Sequence, residues 1–196
     1  MNDKKTLKNI DPAELGFDFD GVIADTAEAF LRLACDTYGH CNIRLEDITS
    51  FEVEECLDVE PTIVRSIFME ILLDSIGTGL QPMPGAVEVL GELCERAEVK
   101  VITARPQPDP VHAWLETVFP PSTCSRIRVI AMGNHDEKPR HIQRLGLTHF
   151  IDDRAETCTQ LDSAGICSIV FSHPWNENRH TLPTVTSWQE IRALCL

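Results

Sequence analysis

The sequence predicts an α/β protein: a parallel sheet with a helical module inserted after its first strand. Three observations carry this expectation. From residue 84 onward, short apolar runs alternate with amphipathic stretches, the pattern in which strand and helix units of a parallel sheet are written. Residues 26 to about 81 break that alternation, with helical apolar spacing and no evident strand. A chain of 196 residues can bury one good core and carry an inserted module, but falls short of two full-sized independent domains.

Taken in order, GFDF supplies the first strand. TAEAFLRLACDTYG and PTIVRSIFMEILLDS read as helices, with the acidic segment LEDITSFEVEECLDVE between them. PGAVEVLGELCERAE is then a helix and VKVITA a strand. PQPDP, at 106 to 110, reads as a rigid loop. VHAWLETVF is a helix, RIRVIAM a strand, KPRHIQRLG a short helix, THFIDD a strand, ETCTQLDSAG a helix and ICSIVF a strand. The boundaries that follow are 1–25 with 82–196 for the sheet-bearing core, and 26–81 for the insertion.

Composition narrows the function. Apolar residues make up 43% and charged residues 24%, the balance of a globular chain and not of a disordered one. The formal charge of -14 repels polyanions, so a nucleic-acid polymer is not the expected partner. A small anionic substrate stays open, because a bound divalent cation reverses the local sign of the potential. No apolar run approaches the roughly 18–20 residues that span a bilayer, and MNDKKTLKNIDPAEL has no apolar stretch behind its lysines. Eight cysteines are scattered through apolar segments without a CxxC pair, which reads as reduced core thiols in a cytoplasmic protein with no membrane partner.

Ligands of open parallel sheets bind at the carboxyl ends of the strands, and four such ends carry polar residues of chemical use. They are Asp18 and Asp20 after the first strand, Thr103 and Arg105 after VKVI, Lys138 after the loop that follows RIRVIAM, and Asp152 with Asp153 after THFI. Two carboxylates separated by a single residue repel unless a cation or shared proton relieves them. Two residues apart on an extended strand, Asp18 and Asp20 would share a face. Carboxylates from two strands can hold Mg²⁺, which prefers oxygen ligands, and a hydroxyl, a lysine and backbone N–H groups can hold a phosphoryl group against it. The constellation asks for a phosphate ester.

These residues resemble a known family. DFDGVIADT, from Asp18 to Thr26, is similar to the DxDGxxxDT opening of the haloacid dehalogenase-like phosphatases. VITAR is similar to their strand ending in Thr or Ser, Lys138 with Pro139 to their phosphate-binding lysine, and FIDD to their closing acidic pair. The resemblance covers about residues 14 to 172, and FIDDRAETC followed by HPWN looks most like the deoxyribonucleotidase-like group, which hydrolyses nucleoside monophosphates.

The resemblance implies a Rossmann-like three-layer sandwich with a central parallel sheet, in which 26–81 is a small helical cap that selects the leaving group. It implies Asp18 as nucleophile through an aspartyl-phosphate and Asp20 as general acid and then base. Mg²⁺ would be held by the Asp18 carboxylate, the Asp20 backbone carbonyl and Asp153, with Asp152 behind Asp153. Thr103, the Ala104 backbone N–H and Lys138 would bind the phosphoryl oxygens, with Arg140 able to share the lysine's task. Arg105 and Trp175 are further candidates for substrate contact. A small phosphorylated metabolite such as a nucleoside monophosphate is the expected substrate. The alternatives are a phosphomutase, a dehalogenase, against which Asp20 and the FIDD acids speak, and a non-catalytic phosphate-binding protein of the same fold. Oligomeric state is not legible in the sequence.

Overall fold

The computed structural model describes residues 7, 9–133 and 138–196. The opening residues, on which the reading of a missing leader partly rests, and residues 134–137, read from sequence as part of a loop, lie outside the described residues.

A six-stranded parallel sheet forms the middle layer, in the order β3-β2-β1-β4-β5-β6. Its strands are β1 (Leu15–Phe17), β2 (Val99–Thr103), β3 (Ile127–Ala131), β4 (His149–Asp152), β5 (Cys167–Phe171) and β6 (Thr184–Val185). The first strand in the chain is central in the sheet. Leu15 pairs with His149, and Gly16 with both Lys100 and Phe150. All three residues of β1 are buried, as a strand covered on both faces requires. Gly16 has a packing reason: a Cβ there would sit 2.7 Å from the Leu147 side chain.

Alternate residues of the sheet feed two apolar layers. Val99 and Val101 of β2 join the larger cluster, together with Leu90 and Leu93 of α3 (Ala86–Arg96) and Trp114 of α4 (Asp109–Val118). Ile102 and Phe150 face the other way and pack with Ile142 of α6 (Lys138–Arg144) and Leu161 of α7 (Ala155–Ser163). Helices therefore cover both faces. A short helix α5 (Pro121–Cys124) leads into β3. Asp109 and Pro110, read from sequence as loop, instead open α4, where proline's missing N–H is harmless in the first turn.

Residues 26–81 contain α1 (Thr26–Tyr38) and α2 (Pro61–Leu73), with short 3-10 turns at Leu45–Asp47 and Val53–Glu55 between them. Phe30 stacks on Phe68 at 5.0 Å, joining the two helices. The Asp25 carboxylate caps α1 by accepting from the Glu28 N–H at 3.1 Å. The chain leaves and returns side by side: Ala24 bridges Pro82, the Asp25 N–H donates to the Gln81 carbonyl, and the Met83 N–H donates to the Ile23 carbonyl.

The cysteine expectation needs correction here. Cys35 and Cys41 form a disulfide, their Cα atoms 4.1 Å apart. Helix α1 ends at Gly39, whose positive φ of 78° turns the chain back beside its own last turn, so two cysteines six positions apart meet without any CxxC spacing. Cys94, Cys158 and Cys195 are buried thiols, as expected.

Past Phe171, β6 closes the edge of the sheet and α8 (Trp188–Cys195) packs beside α3 on one of its faces. Trp188 is fully buried, stacks on Phe17 of β1 at 5.3 Å and donates its indole N–H to the Val22 carbonyl at 2.8 Å. The C-terminal helix thus braces the strand that leads into the acidic residues.

Candidate active site

Strand β1 ends at Phe17, so Asp18 and Asp20 do not share a strand face; they belong to the turn that follows. The Asp18 N–H still donates to the Ile151 carbonyl at 2.8 Å, and the chain then folds back so that the Ile23 and Ala24 N–H groups donate to the Phe19 carbonyl. Gly21 makes that turn with φ of 70°, and a Cβ there would strike the Asp153 carboxylate. Gly21→Ala is therefore expected to cost about 1–2 kcal/mol in backbone strain alone and to push Asp153 out of place. Thermal unfolding should show the lost stability, and activity assays a loss larger than that strain explains.

Four strand ends converge. Asp18, Asp152 and Asp153 each offer an oxygen, all within 4.8 Å of one another. Lys138, the first residue of α6, is fully buried beneath them, its Nζ 2.5 Å from Asp152 Oδ2 and 3.1 Å from Asp18 Oδ1. The second contact is an ion pair, and among the described residues Asp18 Oδ1 is a buried acceptor that receives no hydrogen bond. Thr103 closes β2, buried, and its hydroxyl accepts from the Arg105 N–H at 3.2 Å. Arg140 is exposed on α6.

Three acids against one lysine leave two negative charges to be relieved. Burial pushes the Asp18 carboxyl up to about 7, with the Lys138 charge opposing that rise and Asp152 and Asp20 adding to it. Burial likewise raises Asp153 well above the carboxylate range, with the Asp152 and Asp18 charges reinforcing it. Lys138 loses to burial and gains more from Asp152 and Asp18, so it stays protonated. Asp20 moves the opposite way: burial would raise it, but the Arg105 guanidinium, with hydrogen bonds from Arg105 and Thr26, holds it below the usual range.

The segment HPWN clamps Asp153. Trp175 donates its indole N–H to Asp153 Oδ2 at 3.1 Å, and Asn176 Nδ2 donates to the carbonyls of Asp153 and Phe171 at 2.7 and 2.8 Å. His173 stacks on Trp175 at 4.1 Å and meets the Gly21 carbonyl through Nε2 at 2.6 Å; since a carbonyl only accepts, Nε2 carries the hydrogen. Sequence reasoning named Trp175 but missed His173, Asn176 and Thr26. HPWN was the signal for the first two, a polar run directly after an apolar strand. Both oxygens of Asp152 are engaged, by Lys138 and by the Arg154 N–H at 2.9 Å.

A cavity of about 360 Å³ opens over these groups. Asp18, Asp20, Thr103, Ala104, Arg105, Asp153 and Trp175 line its polar end, while Phe30, Phe51, Phe68, Ile71 and Leu72 form apolar walls from the 26–81 segment.

A parallel α/β sheet that gathers an acid pair, a hydroxyl, a lysine and a second acid pair at its strand ends defines a haloacid dehalogenase-like phosphatase. The family described as "5' nucleotidase, deoxy (Pyrimidine), cytosolic type C protein" matches residues 12–196, and the chain belongs to it. Solved structures of similar fold include a haloacid dehalogenase-like hydrolase, SP0104, from Streptococcus pneumoniae (14% identity, 90% of this chain and 95% of that one, TM-score 0.60). L-2-haloacid dehalogenase from Xanthobacter autotrophicus is also similar (12% identity, 92% and 96%, TM-score 0.58). So is beta-phosphoglucomutase from Clostridium difficile (13% identity, 91% and 92%, TM-score 0.51). Among curated protein sequences, no relative matches this chain. Among the described residues, no helix is long and apolar enough to cross a membrane.

Proposed function

We propose that this protein is a Mg²⁺-dependent phosphomonoesterase that hydrolyses nucleoside monophosphates through an aspartyl-phosphate. The observation that carries the reading is the cluster of Asp18, Asp152 and Asp153 around one buried lysine, at the polar end of a cavity with aromatic walls. The family description names deoxypyrimidine nucleotides as the first substrates to test.

The donor set fits a hard divalent cation. All the donors are oxygen, the unrelieved charge is two negatives, and among the described residues Asp18 Oδ1 is buried with no hydrogen bond. Asp18 and Asp153 would hold the ion, helped by the Asp20 carbonyl. Asp152, with both oxygens already engaged, supports them from behind. Bound there, the ion would offset the charge of the phosphoryl oxygens and of the attacking carboxylate.

The chain's own residues do the rest. An oxygen of Asp18 attacks phosphorus in line, and the bond from phosphorus to the ester oxygen breaks. The departing alkoxide takes a proton from Asp20, which its carboxylate must first take up from water against the pull of Arg105, as the negative charge of the bound phosphate favours. In the second step Asp20, now a carboxylate, takes a proton from water. The resulting hydroxide attacks phosphorus, the bond to Asp18 breaks, and inorganic phosphate leaves with both carboxyl groups restored. Thr103 and the Ala104 N–H, which line the cavity, hold the phosphoryl oxygens, while Lys138, buried behind Asp18 and outside the cavity lining, offsets their charge from below. Residues 26–81 act as a cap: their apolar walls exclude water and receive the base and sugar.

The test is phosphate release from nucleoside monophosphates, sugar phosphates and p-nitrophenyl phosphate, with Mg²⁺ and with EDTA. Release that is lost in EDTA and largest for nucleotides is expected. Equal release in EDTA would remove the metal from the reading, and release from sugar phosphates alone would remove the nucleotide.

Metal removal also has a pH signature. The folded carboxyl of Asp18 titrates near 7, above its ordinary value of 3.8, so the metal-free folded state holds the proton more tightly than the unfolded chain. Its contribution to stability is fully present below about 4 and is lost as pH rises through about 7. In EDTA, the melting temperature of the wild type should fall across that window relative to Asp18→Asn. Mg²⁺, which binds the deprotonated acids, should restore it at pH 8. Parallel profiles for the two proteins in EDTA would contradict this.

A further inference from the structure

Arg105 is only 3% exposed, and its guanidinium spans three elements. Nε donates to Asp20 Oδ2 and Nη2 to Asp20 Oδ1, each at 2.8 Å. Nη1 donates to the Ser75 hydroxyl at 2.7 Å and lies 3.5 Å from the Leu72 carbonyl. The guanidinium sits 4.8 Å over the Phe19 ring, which fixes its plane. Leu72 is in the last turn of α2, and Ser75 is buried just beyond it, its own hydroxyl donating to the Ile71 carbonyl at 2.9 Å. One side chain from the end of β2 therefore ties the Asp20 carboxylate to the end of α2.

The count of lone pairs then becomes informative. Each carboxylate oxygen accepts two hydrogen bonds. Asp20 Oδ1 receives Arg105 Nη2 and the Thr26 hydroxyl, the latter at 2.7 Å, while Oδ2 receives only Arg105 Nε. Among the described residues, the one acceptor position left on Asp20 is on Oδ2.

We propose that Arg105 is a positioning residue that makes Oδ2 the oxygen of Asp20 through which the reaction's proton passes, and that it does so only while the end of α2 is seated. The inference rests on the reading of Asp20 as acid and base. Its proton leaves Oδ2 for the departing alkoxide as the ester bond breaks, and Oδ2 takes one back from the attacking water. If the end of α2 lifts, Nη1 loses both acceptors and the guanidinium loses one of its anchors. The carboxylate it grips then loses its fixed direction. Ile71 and Leu72 also line the cavity, so a leaving group that fills the cavity packs against the same turn whose seat aligns the acid. Occupancy and proton delivery are thereby linked through one guanidinium.

The experiment compares two esters. A primary alkyl ester, here a nucleoside 5′-monophosphate or, where that is not turned over, glycerol phosphate, leaves as a poor alkoxide that needs the acid. p-Nitrophenyl phosphate leaves with little need of a proton. The variants are Ser75→Ala, Arg105→Lys and Asp20→Asn, each checked by thermal unfolding. Ser75→Ala should lower kcat on the alkyl ester about 10-fold and on p-nitrophenyl phosphate less than about 2-fold. Arg105→Lys, which keeps the charge and loses the two-pronged grip, should lose roughly 100-fold and under 10-fold respectively, within the range that general acid catalysis supplies.

Equal losses on both esters in Ser75→Ala and Arg105→Lys, with Asp20→Asn still selective for the alkyl ester, would overturn the coupling while leaving Asp20 as the acid. No selectivity in Asp20→Asn would remove the acid itself and this inference with it. Should Arg105→Lys fail to fold, the ratio for Ser75→Ala alone decides.

Discussion

Asp18→Asn is expected to abolish phosphate release, by on the order of 10⁴-fold or more, because the amide has no charge with which to attack phosphorus. The fold should survive. The replacement is close to isosteric, and it removes one of three acids that share a single buried lysine. The metal-free protein should therefore melt no lower than the wild type at pH 8, where burial and neighbouring charge penalise the Asp18 carboxylate most. Phosphate release and a melting curve on one preparation check both halves. Turnover near the wild-type rate would eliminate Asp18 as nucleophile, whereas lost turnover with a collapsed melting curve would show that the side chain holds the fold.

Lys138→Met is expected to give the largest loss of stability. The ammonium is fully buried against Asp152 and Asp18, and removing one partner of a buried ion pair strands the other, which costs about 3–5 kcal/mol. For a chain of this length that corresponds to a melting temperature lower by roughly 6–20 °C. The loss should shrink at pH 5, where the stranded carboxyls can take up protons. A variant that melts within 2 °C of the wild type at neutral pH, an interval set by about 1 kcal/mol on that scale, would mean that the lysine does not carry the charge balance of the site. Activity should vanish as well, but the melting curve is the sharper readout.

How much of this was legible in the sequence differs by element. Strands β2 to β5 stood out because each is an apolar run bounded by turn residues, and β1 because two acids follow it directly. β6 escaped because two residues make no pattern. α8 escaped although Ser187 and Glu190 have capping spacing; the structure shows the Ser187 hydroxyl accepting from the Glu190 N–H at 3.4 Å, and the Glu190 carboxylate from the Thr186 N–H at 2.6 Å. In the site, the acids, Thr103 and Lys138 could be named because chemistry restricts residue type at strand ends. The grip of Arg105 on Asp20 and Ser75 could not, since it depends on how the end of β2 meets the end of α2, a distance no local pattern encodes. The disulfide between Cys35 and Cys41 was hidden for a similar reason, as the left-handed turn at Gly39 and not the spacing brings the sulfurs together.

The central place of β1 bears on how the protein emerges from the ribosome. β1 is made first, yet its hydrogen-bonding neighbours are residues Lys100 and Val101 on one side and His149 to Ile151 on the other. At about 5–20 residues per second of synthesis, the segment holding Asp18 and Asp20 waits on the order of ten seconds with neither edge paired, while α1 and α2 are already complete. The nascent chain must therefore carry the turn of Asp18 and Asp20 behind an unpaired, apolar strand for about half of its translation. A ribosome stalled before residue 149 would display that strand to chaperones instead of to β4.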